Sequence, residues 1–388
     1  MASFREICFT PAEFAGFAKL QRELIPQLES TGILNTIKKK VGNVDRKMIT
    51  LEDMRGYFHT MREVKAMIES QALSAGLPQS ADGLNPSVAA ATDRTADGVE
   101  IIDTAQAPAG AMAAGPALPF EMDPVAVAAA TGFIPNTPAR KVQMFYNVKG
   151  GTGKSTLTAQ YVMRAAMMGL NVLAIDLDGQ GHLTVNLDVL DAHERPTIYD
   201  VLINDLPLSD AIMNVAPGLD LVPANLGLCN IEIPLNQKTR REYRLSEAIR
   251  KIADRYDLIV ADTNPAASIL NGSMLVASNL VNVICATNPL SFHGMSLVMA
   301  TIETMEQEFQ KELDVRIVPN MYDNREVISQ EVLGELRAQF PDICTRSVVN
   351  RSADLNEATK RRAAVWSVNS KGTAAQDLNS LTEELIYG

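Results

Sequence analysis

The chain has 388 residues, of which 46% are hydrophobic and 21% are charged. A chain of this length and composition can bury a sizeable core, which excludes a disulfide-stabilised miniprotein and a wholly disordered protein. Lysine and arginine number 35 against 46 aspartates and glutamates, so the formal net charge is −11. This balance excludes a uniformly basic nucleic-acid binder, and any contact with DNA has to come from a local cluster of cations.

The sequence carries no mark of secretion, of a metal cluster or of a membrane span. It starts MASFREICF, without an apolar signal core. The four cysteines lack the CxxC or Cys/His spacing of zinc and iron–sulfur sites: Cys8, Cys229, Cys285 and Cys344. The most apolar helical candidate, residues 157–170, is interrupted by Gln160 and Arg164. We therefore expect a cytoplasmic protein with no membrane partner.

Composition divides the chain into three segments. Residues 1–80 carry 11 Lys+Arg and 9 Asp+Glu, residues 81–137 carry 1 and 7, and residues 138–388 carry 23 and 30. The middle segment is rich in Ala, Pro and Gly and has no sustained period of 2 or 3.6, so it cannot bury enough apolar area to offset its ordering entropy. The pattern predicts a flexible acidic linker over 81–137, with a short helix at 124–131.

The first segment, residues 1–80, shows two helix starts. Thr10 is suited to cap a helix in which Pro11 takes the first position and Glu13 reaches back to the cap. A basic run at residues 38–40 and a short apolar strand precede a second helix, which starts near Thr50. Helix, basic turn, strand and helix are typical of a small winged helix-turn-helix domain, and a helical dimerisation module fits the same pattern.

The third segment, residues 138–388, alternates apolar runs with helical patterns. Such runs are typical of parallel strands that are covered on both faces, and ligands then bind beyond the carboxyl ends of the strands. The pattern predicts an α/β fold with a doubly wound, mostly parallel sheet. The predicted strands are 142–148, 171–177, 219–223, 258–262, 280–287 and 315–319.

Residues 149–156 read KGGTGKST and lie between a predicted strand and a helix that begins near Ser155. Glycines let backbone N–H groups converge on phosphate oxygens, and the helix N-terminus adds its partial positive charge. In this context Lys154 reaches the β- and γ-phosphates and Ser155 ligates Mg²⁺, so ATP and Mg²⁺ are the expected cofactors. The predicted nucleotide-binding residues are Lys149, Gly150, Gly151, Thr152, Gly153, Lys154, Ser155 and Thr156.

The loop departs from the standard phosphate-loop pattern, which needs a glycine where this chain has Val148, and it carries an extra lysine at Lys149. This variant resembles the deviant Walker A motif of the ParA/MinD family of ATPases. The resemblance implies a P-loop fold and a Mg²⁺-dependent ATPase of weak intrinsic activity. It also implies that Lys149 acts in trans, on the nucleotide of a dimer partner.

Three acidic positions and one amide extend the resemblance. Asp176 and Asp178 lie in DLDGQG, which is similar to the family motif DxDPQG with Gly179 in place of proline. By resemblance, Asp178 positions the attacking water and Asp176 supports Mg²⁺ through water. Asp262 ends a run of four apolar residues in a Walker B arrangement, next to the metal shell. Asn320 follows the next-to-last strand, where relatives contact the adenine.

Resemblance covers about residues 140–388 and favours ParA over other branches of the family. The tail, residues 374–388, contains acidic residues and no Lys or Arg, unlike the basic membrane helix of MinD relatives. The nitrogenase iron protein needs cluster-binding cysteines at a spacing that this chain lacks. ParA resemblance implies an ATP-dependent homodimer that binds DNA non-specifically, is associated with the nucleoid, and hydrolyses ATP on stimulation by a ParB-type centromere-binding partner.

Two basic clusters are candidates for DNA contact, and the sequence does not decide between them. The C-terminal candidates are Arg346, Arg351, Lys360, Arg361 and Arg362. The other cluster is Lys238, Arg240, Arg241 and Arg244.

Two further functions fit the sequence. An N-terminal domain before the ATPase core resembles the larger plasmid ParA proteins, in which that domain binds operator DNA. The chain could then be a nucleotide-switched transcriptional autorepressor that acts through residues 1–80. A ParA-like positioner of a protein cargo is the other alternative.

Overall fold

The computed structural model describes residues 4–41, 44–74, 138, 141–266 and 268–388. The predicted linker over 81–137, with its short helix at 124–131, lies outside the described residues. Its boundaries with the two flanking segments therefore stay predictions.

The N-terminal unit, residues 4–74, combines a small antiparallel sheet with three helices. Its strands pair in the order β1-β3-β2, and Thr10 and Glu13 form the predicted capping box at the first helix. The basic run 38–40 was predicted as a turn, which is wrong: it lies in strand β2. The run lacks the alternation of apolar and polar residues that indicates a strand, because both faces of β2 are exposed. The elements are β1 (Cys8–Phe9), α1 (Pro11–Phe17), α2 (Ile25–Ser30), β2 (Ile37–Val41), β3 (Val44–Thr50) and α3 (Leu51–Ser74).

The larger unit is built on a seven-stranded sheet. Its order is β10-β9-β4-β8-β5-β7-β6, and every neighbouring pair is parallel except β6 with β7. The predicted doubly wound α/β fold is confirmed, and the antiparallel edge strand β6 is the strand that the apolar runs did not predict. The strands are β4 (Val142–Tyr146), β5 (Val172–Leu177), β6 (Met213–Ala216), β7 (Leu219–Val222), β8 (Leu258–Thr263), β9 (Leu280–Ala286) and β10 (Asp314–Asn320).

Helices cover both faces of this sheet. The first of them, α4 (Lys154–Met167), follows the phosphate loop and is buried along most of its length. The others are α5 (His182–Asn186), α6 (Ile198–Ile203), α7 (Glu232–Asn236), α8 (Arg244–Arg250), α9 (Ile269–Ala277), α10 (Pro289–His293), α11 (Met295–Phe309), α12 (Val327–Gln339), α13 (Ala353–Arg361), α14 (Val365–Asn369) and α15 (Thr373–Tyr387). Among the helices in the described ranges, none is both long and apolar enough to cross a membrane.

The N-terminal unit packs directly against the larger unit. Its apolar residues, including Phe14 and Tyr57, belong to the same core as Leu157 of α4 and Leu378 of α15. A second core lies on the opposite face of the sheet, because successive strand residues point to opposite faces. Helix α4 is thus covered by the N-terminal unit and α15 on the side away from the sheet.

Polar contacts reinforce this packing at the C-terminal end of α4. Arg55 of α3 donates from Nη1 to the carbonyl oxygens of Ala166 (2.7 Å) and Leu170 (2.6 Å), and from Nη2 to Asn171 Oδ1 (2.9 Å). Ala166 O also accepts from Gly169 N (2.9 Å), and Leu170 follows the end of the helix, so the guanidinium adds a charged donor to carbonyls at and just beyond the C-terminus of α4.

Candidate nucleotide-binding site

The loop between β4 and α4 is shaped by two glycines and one asparagine. Gly151 and Gly153 have φ angles of 76° and 88°, in the region that favours glycine. Asn147 anchors the start of the loop, since its side chain accepts from Lys149 N (2.8 Å) and donates to Ile284 O (2.7 Å). The backbone can therefore turn tightly and present its N–H groups at the N-terminus of α4.

This loop forms one wall of a cavity of about 580 Å³. The cavity brings the predicted phosphate-binding residues together with Asp178, and it also takes in residues of α5, the loop after β8 and α13. Lys154 lies in its wall and is only 6% exposed. The lining residues are Gly150, Gly151, Thr152, Gly153, Lys154, Ser155, Thr156, Asp178, Gln180, His182, Val185, Asn186, Pro265 and Thr359.

Asp262 lies buried at the end of β8, next to the start of α4. Its Oδ1 accepts from Thr158 Oγ1 (3.4 Å), whereas Oδ2 has no hydrogen-bond partner among the described residues. Burial raises the pKa of Asp262 to about 8, Asp176 adds to the rise, and the Ser155 hydroxyl and Lys154 oppose it. A buried carboxylate with an open oxygen beside a hydroxyl suits a hard divalent cation, so Ser155 and Asp262 fit Mg²⁺.

Asp176, at the end of β5, has protein partners on both carboxylate oxygens. Oδ2 accepts from the backbone N (2.8 Å) and Oγ1 (2.7 Å) of Thr184, and Oδ1 accepts from Asp178 N (3.1 Å). Burial raises its pKa to about 6, although these hydrogen bonds oppose the shift. Asp176 therefore holds the loop that carries Asp178, and its support of Mg²⁺ stays a prediction.

The surroundings of Gly179 explain why this loop departs from the family motif. A Cβ built on Gly179 would lie 2.6 Å from Cys229 Sγ and 2.8 Å from Cys229 N, closer than real Cβ contacts. Asp178, which precedes it, accepts from Gln180 N through Oδ1 (3.0 Å). The space that a proline ring would need is filled by Cys229, so the packing of the turn requires glycine.

Lys149 is absent from the residues that line the phosphate cavity. Its ammonium Nζ donates to Ser291 Oγ of α10 at 3.3 Å. Among the described residues, the Lys149 ammonium therefore contacts α10 and is not part of the wall of the phosphate cavity.

Asn320 was predicted to follow the next-to-last strand, which is wrong: it is the final residue of β10, and no strand follows β10 in residues 321–388. It lies between the phosphate loop and a second cavity of about 230 Å³. Its Nδ2 donates to Thr152 O at 2.7 Å, so the amide nitrogen is already engaged in holding the phosphate loop. Sequence reasoning assigned Asn320 to the adenine and did not foresee this contact. The second cavity shares Gly153 and Thr156 with the first one and is also lined by Leu157, Asn320, Met321, Asn350, Arg351, Ser352, Leu355 and Asn356.

Known proteins with similar sequences identify the family. A family model described as an AAA domain matches residues 140–315. The cell division protein PomZ of Myxococcus xanthus is 32% identical over 254 residues, covering 64% of this chain and 80% of PomZ. The chromosome partitioning protein ParA of Caulobacter vibrioides is 32% identical over 250 residues, covering 63% of this chain and 94% of the relative. The chain belongs to the ParA-type partition ATPases, within the ParA/MinD family.

A solved structure supports the same P-loop fold for this ParA-type ATPase. Cobyrinic acid a,c-diamide synthase from Mycobacterium smegmatis, with bound ATP analogue and magnesium, superposes with a TM-score of 0.56 at 26% identity. The match covers 63% of this chain and 93% of the synthase. Its ligands are of the kind that the loop, the buried Asp262 and Ser155 fit.

The cations predicted to contact DNA in this ParA-type ATPase lie in different places. Arg351 lines the second cavity, and Lys360 to Arg362 lie at the end of α13, where Thr359 reaches the phosphate cavity. Arg361 pairs with Glu357 (2.6 Å) and Arg362 with Asp188 (3.5 Å). Arg346 instead lies against α15, where its backbone N donates to Glu384 (2.7 Å).

The alternative basic cluster of this ParA-type ATPase is matched by acids. Each of its four cations pairs with a carboxylate: Lys238 and Arg244 with Asp205, Arg240 with Glu247, and Arg241 with Glu242. Three of the five C-terminal candidates are paired as well, since Arg351 lies 3.9 Å from Glu326, so ion pairing reduces the net charge that both clusters offer to phosphates.

Several residues at the site of this ParA-type ATPase were missed by sequence reasoning. Asn147 contacts the phosphate loop, and Thr158 donates to Asp262. Ser291 accepts from Lys149, and Thr359 lines the phosphate cavity. Asn147 and Thr158 lie next to or within the phosphate-loop region, which is a usable signal. Ser291 and Thr359 lie more than a hundred residues away, and only folding brings them close.

Proposed function

We propose that this ParA-type ATPase hydrolyses ATP with Mg²⁺ as a homodimer, binds DNA non-specifically in the ATP state, and releases it when a ParB-type partner stimulates hydrolysis. Binding to bulk DNA would place the protein on the nucleoid. A relative named for cell division and one named for chromosome partitioning are equally identical to this chain, at 32%. The ATP cycle is therefore proposed for this chain, and the partner protein would determine which cargo is moved.

The residues of the phosphate cavity have distinct proposed roles. Backbone N–H groups of the loop and the ammonium of Lys154 bind the phosphates, and Ser155 and Asp262 hold Mg²⁺. The bound metal neutralises charge on the phosphate oxygens. Asp178 orients the attacking water, since its side chain lines the cavity and its loop is fixed by Asp176.

The second cavity is the proposed site of the adenosine part of the nucleotide. It adjoins the phosphate loop through Gly153 and Thr156, and the side chains of Leu157 and Leu355 give it apolar surface. In this arrangement Asn320 acts on the nucleotide through Thr152 of the loop.

The observation that supports the proposed dimer is the contact of Lys149 with Ser291 in the same chain. The ammonium of Lys149 lies outside the phosphate cavity of its own chain, and its weak 3.3 Å contact with Ser291 can be given up. A lysine in this position is available to a nucleotide held by a second copy, which is the role that the family resemblance implies.

Light scattering after size exclusion tests this dimer. Asp178→Ala should accumulate as a dimer with ATP and Mg²⁺ because hydrolysis is slow, and adding Lys149→Ala should return it to a monomer. Asp178→Ala with Lys141→Ala is the matched control and should remain dimeric. A monomeric Asp178→Ala protein at saturating ATP and Mg²⁺ would contradict the proposal.

We also propose a second function, DNA binding by the N-terminal unit, and the β2–β3 hairpin favours it. The directly opposed pairs Lys38/Lys47 and Lys39/Arg46 place like charges side by side. Lys47 is paired with Glu29 at 2.6 Å and Lys40 opposes Asp45, so among the described ion pairs the unmatched positive charge of the hairpin lies on Lys38, Lys39 and Arg46. Both faces of β2 are exposed. This arrangement suits the phosphates of double-stranded DNA, and with operator DNA it would make the protein an autorepressor.

Footprinting on DNA upstream of the protein's own gene tests the hairpin. The full chain should protect a defined site, and the triple variant Lys38→Gln, Lys39→Gln, Lys40→Gln should lose that protection. The variant Lys360→Gln, Arg361→Gln, Arg362→Gln is the matched control and should keep it. Absence of any protected site, or equal protection by both variants, would reject the autorepressor.

A further inference from the structure

Arg164 is a buried cation that the proposed ATP cycle does not use. It lies in the last turn of α4 and is 1% exposed, which makes it one of the largest fully buried side chains in the described part of the chain. Its Nε and Nη1 have no hydrogen-bond partner among the described residues. Buried guanidinium groups are normally paired with an acid, because removing an unpaired charge from water is costly.

Two aromatic rings contact this guanidinium group. The Cζ atom of Arg164 lies 5.3 Å from the ring centre of Phe17 in α1 and 5.9 Å from that of Trp366 in α14. Cation–π contacts offset part of the cost of burial, but they leave the N–H donors of Nε and Nη1 without acceptors. Burial lowers the pKa of Arg164 to about 10, so the group stays charged at neutral pH.

Arg164 lines a cavity of about 260 Å³ at the junction of three parts of the molecule. The N-terminal unit, the phosphate-loop helix α4 and the C-terminal helix α15 each contribute to the wall. Six of the eight lining residues are polar or charged: Lys19, Arg164, Gln376, Asn379, Ser380 and Glu383. The other two are Gly16 and Phe17.

The charges around the cavity leave an excess of positive charge. Two cations and one acid line the wall. The acid, Glu383, is paired with Lys19 Nζ at 2.7 Å and also acts electrostatically on Arg164 without a hydrogen bond to it. Arg164 is the second cation, and no carboxylate in the described residues accepts a hydrogen bond from it. Gln376 Nε2 already donates to Lys371 O (3.1 Å), whereas Asn379 accepts from Trp366 Nε1 through Oδ1 (3.0 Å), so the Asn379 amide nitrogen and the Ser380 hydroxyl are the further donors for an anionic ligand.

We propose that this junction is a binding site for a small oxyanion, which accepts hydrogen bonds from the Arg164 guanidinium. Planar guanidinium donors match the oxygen spacing of both phosphate and carboxylate groups. Because its wall is shared by the N-terminal unit, α4 and α15, the bound anion stabilises the docking of the N-terminal unit on the ATPase unit. The site is separate from the phosphate cavity and does not depend on ATP hydrolysis.

Anion-dependent melting of the full chain tests the site. Lys154→Ala serves as the background, because it removes the lysine through which an anion would bind the phosphate loop. Increasing inorganic phosphate at constant ionic strength should raise the melting temperature with saturation. Adding Arg164→Met should weaken the apparent affinity about tenfold or more, as expected for the loss of a charged hydrogen-bonding partner.

Controls separate a specific site from a general salt effect. Arg250→Met removes an exposed arginine of α8 and should leave the phosphate dependence unchanged. Arg164→Lys keeps the charge without the planar donors and should show intermediate affinity. This variant replaces Arg164→Met in the comparison if the methionine variant does not fold. Acetate in place of phosphate tells whether a carboxylate or a tetrahedral oxyanion is preferred.

Hydrogen exchange locates the effect within the chain. Phosphate should slow exchange at residues 16–19 and 376–383 in the Lys154→Ala background, and Arg164→Met should abolish that protection. A phosphate response that does not saturate, or one that is equal with and without Arg164, would overturn the proposed site.

Discussion

Cys229 packs against Gly179, the position at which the family motif has proline. A residue with a Cβ at position 179 would meet Cys229 Sγ at 2.6 Å and Cys229 N at 2.8 Å. The thiol can move, but a backbone nitrogen cannot move without shifting its turn. The replacement of proline by glycine is therefore coupled to the segment that carries Cys229, and it leaves Asp176 to hold the loop through Asp178 N and Thr184.

We expect Gly179→Ala to slow ATP turnover, because the added Cβ displaces the loop that carries Asp178. Overpacking of this kind costs about 1–3 kcal/mol of stability. The double variant with Cys229→Ala should recover only part of both losses, since the contact with Cys229 N remains. Phosphate release and urea unfolding measure the two effects. Full recovery in the double variant would mean that the thiol alone excludes a side chain at this position.

Asn320→Ala should weaken ATP binding, because it removes the hydrogen bond that holds Thr152 O. A lost hydrogen bond to a buried carbonyl costs about 1–3 kcal/mol, and we expect the Kd for ATP to rise by about fivefold or more. Fluorescent-nucleotide titration measures this Kd. Asn324→Ala, in an exposed position on the following loop, is the control and should bind ATP normally. Equal affinities in the two variants would contradict a positioning role for Asn320.

At the scale of elements, α4 connects the nucleotide to the N-terminal unit. Its N-terminus closes the phosphate loop, and its C-terminal carbonyl of Ala166 accepts from Arg55 of α3. Gly218 permits this approach, since a Cβ there would clash with the Arg55 guanidinium. Burial lowers the pKa of Arg55 to about 10, so it remains a charged donor at neutral pH.

Arg55→Met should loosen the N-terminal unit from the ATPase unit. The variant leaves the carbonyls of Ala166 and Leu170 without their charged donor, and hydrogen bonds of this kind contribute about 1.5–3 kcal/mol each. We expect a lower free energy of unfolding in urea and faster hydrogen exchange over residues 166–171. Arg22→Met, at an exposed position of the same unit, should behave like the native chain. Unchanged exchange at 166–171 would show that apolar packing alone fixes the unit.

At the scale of the whole molecule, local charge has to overcome a net charge of −11. The hairpin β2–β3 carries five cations on its strands of 5 and 7 residues: Lys38, Lys39, Lys40, Arg46 and Lys47. Both surfaces are partly neutralised, since Lys47 of the hairpin pairs with Glu29, and Arg361 and Arg362 of the C-terminal candidates pair with Glu357 and Asp188. The number of cations left to contact phosphates at each surface sets how steeply its DNA binding depends on salt.

ATP-dependent binding to random-sequence DNA should weaken with salt, with a slope of about −0.9 per phosphate contact. We expect the variant Lys360→Gln, Arg361→Gln, Arg362→Gln to reduce the size of this slope by about two to three. Fluorescence anisotropy over a salt series, with ATP and the Asp178→Ala background, gives the slopes. If the hairpin variant Lys38→Gln, Lys39→Gln, Lys40→Gln causes the larger loss on random DNA, the C-terminal surface is not the non-specific site.

Apolar strand runs and the glycine-lysine pattern are local signals, and they were enough to predict the doubly wound sheet and the phosphate loop. The roles of Asp178 and Asp262 stay predictions. The sequence did not reveal strand β2, since a strand exposed on both faces has no apolar alternation. Contacts between distant residues were decided only by the tertiary structure: Cys229 with Gly179, Ser291 with Lys149, Asn320 with Thr152, and Arg55 with Ala166. Each joins segments that are far apart in the chain, and only the packing of helices on the sheet brings them within contact distance.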